Sequence, residues 1–211
     1  MRKIQILIIT AFLMFLLCAY PLSAQVGLKG GINISTLSQK GADLISVSWK
    51  SVTGFTVGGF YAFNVNEYFA IQPELYYTKK GGKLEESILS VLASKSLVIH
   101  YLELPILLKL KLTSQGSISP NLFVGPYVSL KLSDKGEIKA LGIKLEEELI
   151  KVKSSDFGLV FGGGIDFKVS NAIVFLDIRY DLGLVNVAEP ILGIENEMKN
   201  RSLILMVGFG F

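Results

Sequence analysis

Leu203-Ile204-Leu205-Met206-Val207-Gly208-Phe209-Gly210-Phe211 is the stretch whose pattern decides the fold. Leu203, Leu205, Val207, Phe209 and Phe211 are large and apolar, while the positions between them shrink from Ile204 and Met206 to Gly208 and Gly210. Alternate side chains of a strand point to opposite faces, so a period of two marks a strand with one greasy face.

The same period recurs upstream. It predicts strands over Val26–Ile34, Thr53–Phe63, Phe69–Tyr77, Val98–Leu112, Leu122–Leu132, Phe157–Val169, Ala172–Leu184 and Leu203–Phe211. Most have the length a tilted strand needs to cross a bilayer. The connections alternate. Asn64 to Tyr68, Thr113 to Asn121 and Ser170-Asn171 are short; Ser35 to Val52, Thr78 to Leu97, Ser133 to Asp156 and Val185 to Ser202 are long. Leu84 to Leu92 has mixed periodicity and fits either a helical turn or a strand. The alternation from Glu137 to Lys153 fits an extension of the fifth and sixth strands above the membrane.

Charge separates the two faces. In each strand the more apolar frame holds no Asp, Glu, Lys or Arg; in the third it runs Phe69, Ile71, Pro73, Leu75, Tyr77. The complementary frame carries Lys29, Glu74, Glu103, Lys109, Lys111, Lys131, Asp166, Lys168, Asp177, Arg179 and Asp181. A soluble barrel would be apolar inside. A basic side chain facing lipid at the midplane costs about 2–4 kcal/mol, which explains why one frame has none. The expectation is all-β: an eight-stranded antiparallel up-and-down transmembrane β-barrel, apolar outside and polar inside. Long loops then face outward, short turns face the periplasm, and both termini are periplasmic. A soluble ligand-carrying barrel is the competing architecture.

Aromatics fit two interfacial belts. Phe63, Phe69, Phe167, Phe209 and Phe211 fall near the expected periplasmic ends; Tyr77, Phe157 and Tyr180 fall toward the outer ends. The inner frame is rich in glycine, from Gly27, Gly31, Gly54 and Gly58 to Gly208 and Gly210, beside Tyr76, Tyr101, Tyr127 and Arg179. A barrel of eight strands is just wide enough for its side chains to fill. A plugged lumen follows, with Glu74, Glu103, Asp177 and Arg179 as candidates for one polar network. Structural charge pairing is the expected role, ahead of a proton or ion path.

Residues 1–24 read as a cleaved signal peptide: Arg2 and Lys3, the apolar run Ile4–Leu17, then Pro21-Leu22-Ser23-Ala24 before the cut. The barrel domain is then 25–211. The sole cysteine, Cys18, leaves with the leader, so disulfide and thiol chemistry go with it. The formal net charge of +3 drops when Arg2 and Lys3 are removed, and no concentrated basic face suggests a nucleic-acid partner.

Chemistry has few footholds. His100 is the only histidine and falls in the lipid-facing frame near the outer interface. It is the one candidate base for a lipid deacylase or acyltransferase, with Ser96 and Glu103 close in sequence. A triad needs base and hydroxyl in hydrogen-bond reach, and Leu102 takes the obvious same-face position. An interfacial histidine with its polar tip among headgroups is the simpler reading. No catalytic residue, metal site or cofactor is expected. Glu146-Glu147-Glu148 reads as a solvated charge run. The loops carry Trp49, Leu84, Ile88, Leu89, Val91, Leu92, Leu141 and Ile191, which fit either a binding surface for an extracellular or envelope protein or a cap that packs on itself.

The strand ending on Phe211 resembles the closing strand of bacterial outer-membrane barrels. That resemblance implies recognition by the barrel assembly machinery, and the outer membrane of a Gram-negative bacterium as location, with its lipids as partners. Gly54-Phe55-Thr56-Val57-Gly58-Gly59-Phe60-Tyr61, then Phe69-Ala70-Ile71-Gln72-Pro73-Glu74-Leu75-Tyr76-Tyr77, resemble the PorT-like outer-membrane β-barrel family, often labelled porin-like. So do Gly30-Gly31-Ile32-Asn33 and Tyr101-Leu102-Glu103-Leu104-Pro105. The resemblance implies an eight-stranded barrel and brings no catalytic residues. The expected function is a structural or binding role through the outer loops, with a lipid-modifying enzyme using His100 as the alternative.

Overall fold

The computed structural model describes residues 24–40, 49–88, 91–113, 116–140, 143–146, 152–189 and 197–211. All of the expected leader but Ala24 lies outside them, as do Leu89, Leu141, Glu147, Glu148 and Ile191. None of the described residues is helical. The strands are β1 (Ala24–Lys40), β2 (Lys50–Asn64), β3 (Phe69–Ile88), β4 (Val91–Lys111), β5 (Ile118–Ala140), β6 (Ile143–Glu146), β7 (Ser155–Val169), β8 (Ala172–Gly183) and β9 (Glu197–Gly210).

Every pairing is antiparallel, in the order β4-β3-β2-β1-β9-β8-β7-β5, and β4 pairs with β5 to close the ring. The wall has eight strands. The ninth, β6, is a short addition that pairs only with the top of β5, Glu137 to Ala140. Closure satisfies the backbone of every wall strand and leaves no edge, the condition for a sheet to cross a bilayer.

The first described residues, Phe211 and the short turns share one end. Val26 and Phe211 exchange backbone hydrogen bonds at 3.2 and 3.0 Å, and Lys111 N–H donates to the Tyr68 carbonyl at 2.7 Å. The Asn66 side chain shapes the first turn by accepting from the amides of Tyr68 and Phe69. Ser170 takes a φ of 55° in the two-residue turn between β7 and β8.

The far end differs from expectation. Thr78 to Leu97 is not a loop: β3 continues to Ile88, β4 begins at Val91, and the two pair throughout, Gly82 with Leu97 and Ile88 with Val91. Likewise β1 runs on to Lys40, paired with Glu197 of β9. The period-two signal fades there because Lys79-Lys80-Gly81-Gly82-Lys83 has no greasy face. Backbone pairing needs none once the outward side chains leave the apolar band. The Glu137–Ala140 extension does form, as a strand paired to both β4 and β6.

The apolar frame faces outward in every wall strand. Ile32 is 62% exposed, Val207 60%, Ile178 53% and Leu122 53%, while Glu74, Asp177 and Arg179 are 2% exposed or less. In an aqueous protein that arrangement would be inverted.

Candidate functional site

Among the described residues, polar side chains converge in the lumen, which is built in layers. Rise along a strand brings every second residue to the next level.

Nearest the turn end, Lys109 of β4 donates to both oxygens of Asp166 on β7, at 2.9 and 2.8 Å, and Asn121 donates to the same carboxylate at 2.9 Å. One level up, Arg179 of β8 donates to Glu74 of β3 at 2.6 Å. Lys29 of β1 donates to Asp177 at 2.6 Å, and Gln72 donates to Glu74 at 2.6 Å. Above them Lys80 of β3 reaches Glu103 of β4 at 2.6 Å and Asp181 of β8 at 2.8 Å; Ser129 donates to Glu103 at 2.8 Å. A fourth layer holds Asn200 of β9, which donates to Asp156 at 2.9 Å and to the Tyr101 hydroxyl at 3.2 Å.

Three of these contacts join strands on opposite sides of the ring. β3 and β8 stand four places apart in the eight-strand order, and so do β4 and β9. Glu74–Arg179, Lys80–Asp181 and Tyr101–Asn200 therefore each cross the barrel axis. The four residues expected to share one network divide: Glu74, Asp177 and Arg179 come together with Lys29, and Glu103 stands a level higher with Lys80.

Rings and glycines make the layers fit. Lys29 Nζ lies 4.7 Å from the Phe60 ring centre and 5.0 Å from that of Phe175; Lys80 Nζ lies 4.8 Å from Tyr127. The Arg179 guanidinium sits 5.3 Å from Phe123 and 5.5 Å from Tyr76. Such faces attract cations and replace part of the water lost on burial. Each bulky side chain faces a glycine across the ladder: Phe60 opposite Gly27, Tyr76 opposite Gly58, Tyr127 opposite Gly158, Phe123 opposite Gly162. A Cβ on Gly58 would lie 2.6 Å from the Tyr76 ring, and one on Gly208 2.5 Å from Lys29 Cγ.

At the far end the inward frame turns apolar. Leu37, Leu97, Ile99, Tyr101 and Met198 pack with Val152, Val187 and Ala188, and Trp49 rests against them. The last three belong to segments that fold across the mouth, held by the Val152–Ala188 bridge and by Lys131 donating to the Val152 carbonyl. For Trp49 the structure favours the cap. At the same level the outward frame turns polar, with Thr36 on β1, Lys79 on β3, His100 on β4 and Arg201 on β9. The two faces exchange character where the apolar band stops.

Phe63, Phe69, Phe167, Phe209 and Phe211 lie on the outer face near the turn end; Tyr77, Phe157 and Tyr180 lie on it toward the other end. His100 also faces outward. Its Nδ1 is hydrogen-bonded to the Tyr77 hydroxyl, whereas Glu103 points into the lumen toward Lys80. Among the described residues no three His, Cys, Asp or Glu side chains gather closely enough to hold a metal.

Sequence reasoning misses Lys80 and Asp156, because it ends the third strand at Tyr77 and begins the sixth at Phe157. The signal was present: Lys80 continues the parity of Glu74, Tyr76 and Thr78, and Asp156 that of Gly158 and Val160.

A closed antiparallel ring, apolar outside and ionic within, is an integral membrane β-barrel. A family model for the outer membrane protein beta-barrel domain matches residues 20–189, and the chain belongs to that family. It is an outer-membrane protein of the Gram-negative type. OprG from Pseudomonas aeruginosa has a similar structure, with a TM-score of 0.55 at 11% identity over 89% of this chain and 95% of that one. Neisserial surface protein A gives 0.49 at 15% identity, covering 89% and 95%. Ail of Yersinia pestis, in complex with the heparin analogue sucrose octasulfate, gives 0.43 at 16% identity, covering 90% and 100%. No curated protein matches the chain.

Proposed function

We propose that this protein is a non-enzymatic outer-membrane barrel with a plugged lumen, acting through its far end rather than conducting solutes. The trio of contacts across the axis carries this reading. Struts of 2.6, 2.8 and 3.2 Å between opposite walls support a lumen that is filled rather than open. The apolar cap above them supports it further. In this reading the far end, with its paired β3–β4 and β5–β6 extensions, faces the outside and presents a binding surface to an envelope or extracellular partner. Both termini are periplasmic, and the strand ending at Phe211 is the segment the assembly machinery engages. The motifs Gln72-Pro73-Glu74-Leu75 and Leu102-Glu103-Leu104-Pro105 favour the PorT-like branch of the family. They lie side by side, Pro73 paired with Ile106 and Tyr76 with Glu103, and supply one acid to each of two lumen layers.

The enzyme alternative rests on His100. Tyr77 holds its ring, and Glu103, the nearest acid in sequence, is committed to the lumen, so the geometry favours an interfacial role. Planar-bilayer recording tests the main reading. Reconstituted protein should give no steady conductance, and a stable open channel would contradict it. An altered lipid profile on overexpression, lost in His100→Ala, would instead support the enzyme.

A further inference from the structure

Charge balances in the lower layers of the lumen and does not balance above them. Among the described residues, four cations and six carboxylates are buried. Lys29, Lys109 and Arg179 answer Asp177, Asp166 and Glu74 one for one. The upper layers set Glu103, Asp156 and Asp181 against Lys80 alone. Lys80 bonds Glu103 and Asp181, which leaves Asp156 to neutral donors, Asn200 at 2.9 Å and Tyr127 at 3.3 Å. The next inward cation on β5, Lys131, is turned to Asp134 and the Val152 carbonyl. Two negative charges are left over beneath the apolar cap.

The same region is short of hydrogen-bond donors. Asp156 Oδ1, Asp181 Oδ1, Asn200 Oδ1 and Ser202 Oγ are buried, and none has a partner among the described residues. They come from three adjacent strands, β7, β8 and β9. Asp181 is paired with Ser202 across the ladder, Asn200 is the next inward residue above Ser202, and its amide ties it to Asp156. Gly158 and Gly183, themselves partners, take the inward positions among the four and add no side chain. Water would satisfy these oxygens but would carry no charge, and a buried carboxylate left unpaired is costly.

We propose that the upper lumen binds one divalent, oxygen-preferring cation. Asp156 and Asp181 supply its charge, and Asn200 and Ser202 supply neutral oxygens. Two carboxylates, an amide and a hydroxyl offer oxygen alone, the donor set of a hard ion. Calcium takes about six to eight such oxygens in flexible geometry, with water completing the shell, so it is the ion to test. Bound there, it removes the surplus charge and joins three wall strands below the cap. The site does not depend on which end of the barrel faces outward.

The test is equilibrium dialysis of the mature protein, refolded into phosphatidylcholine vesicles, against radioactive calcium at constant pH. Wild type should hold one calcium per chain. Calcium at about 100 times its Kd should raise the folding equilibrium constant about a hundredfold over the same protein in EDTA, as ligand linkage requires. Asp156→Asn/Asp181→Asn should lose at least tenfold in affinity and most of that response. Glu67→Gln, which removes an exposed acid at the turn end, should behave as wild type. Calcium held equally by the double variant would mark binding elsewhere on the surface and overturns the proposal. So does a wild type that holds no calcium and unfolds alike in calcium and EDTA, which would show that protons balance the acids. Folding of each variant is checked by heat-dependent gel mobility. If the double variant fails to fold, Asp156→Asn alone is read in the same way, and the wild-type comparison needs no variant.

Discussion

The Arg179 guanidinium and the Glu74 carboxylate meet at 2.6 Å from strands on opposite sides of the barrel, both buried. No backbone pairing links β8 to β3, so this bond is a strut across the wall's full diameter. Without Arg179 the buried Glu74 carboxylate keeps only Gln72, at 2.6 Å, and Lys29, at 3.7 Å. Arg179→Met should destabilise the barrel by about 3 kcal/mol, the lower end of the cost of breaking a buried ion pair, because Lys29 offsets part of the charge left behind. Adding Glu74→Gln should recover part of the loss. Urea unfolding in lipid vesicles gives both numbers; additive losses would show that the two do not interact.

The outer wall makes the opposite demand. Val207 lies midway between Leu203 and Phe211 on the lipid face of β9 and is 60% exposed. Val207→Arg should cost about 2–4 kcal/mol in a bilayer, as a guanidinium at the midplane does. Arg201, two outward positions above Leu205, is already tolerated at the rim. The same unfolding assay reports the difference.

Gly58 and Tyr76 form one of the glycine–ring pairs that let the lumen fill. Gly58→Ala should destabilise by about 1–3 kcal/mol through overpacking. In the Tyr76→Ala background the cost of Gly58→Ala should shrink but not vanish, since Tyr76 backbone also lies 2.8 Å from the added carbon. A neutral Gly58→Ala, measured by unfolding midpoint, would show that the wall can shift to make room.

Trp49 is the only tryptophan and packs on Leu37 at the cap. Leu37→Ala should increase iodide quenching of its emission in reconstituted vesicles. Quenching identical to wild type would mean that the indole does not rest on that cluster.

Much of this architecture was readable because a bilayer enforces strict rules. Ile204 to Phe211 alternates cleanly since each outward side chain meets lipid, and Lys29, Asp177 and Arg179 sit in phase with the glycines beside them. Legibility stopped where lipid stopped. Lys79-Lys80-Gly81-Gly82 looks like a loop because nothing there must be greasy outside, yet β3 runs through it and delivers Lys80 to Glu103 and Asp181. Which charge pairs with which was also hidden. Glu74 and Glu103 belong to neighbouring strands, but the inward spacing of β3 and β4 sets them one level apart. Only the closed ring brings Arg179 opposite one and Asp181 opposite the cation of the other.

The central claim is that alternate residues of β9 face lipid and lumen. Placing single cysteines one at a time from Leu203 to Gly210 tests it directly, because the only native cysteine is Cys18. Nitroxide labels at Leu203, Leu205, Val207 and Phe209 should collide freely with lipid-dissolved oxygen, while those at Ile204, Met206 and Gly208 should be shielded from it or prevent folding. Collision rates without a period of two, or highest at Ile204 and Met206, would contradict the account.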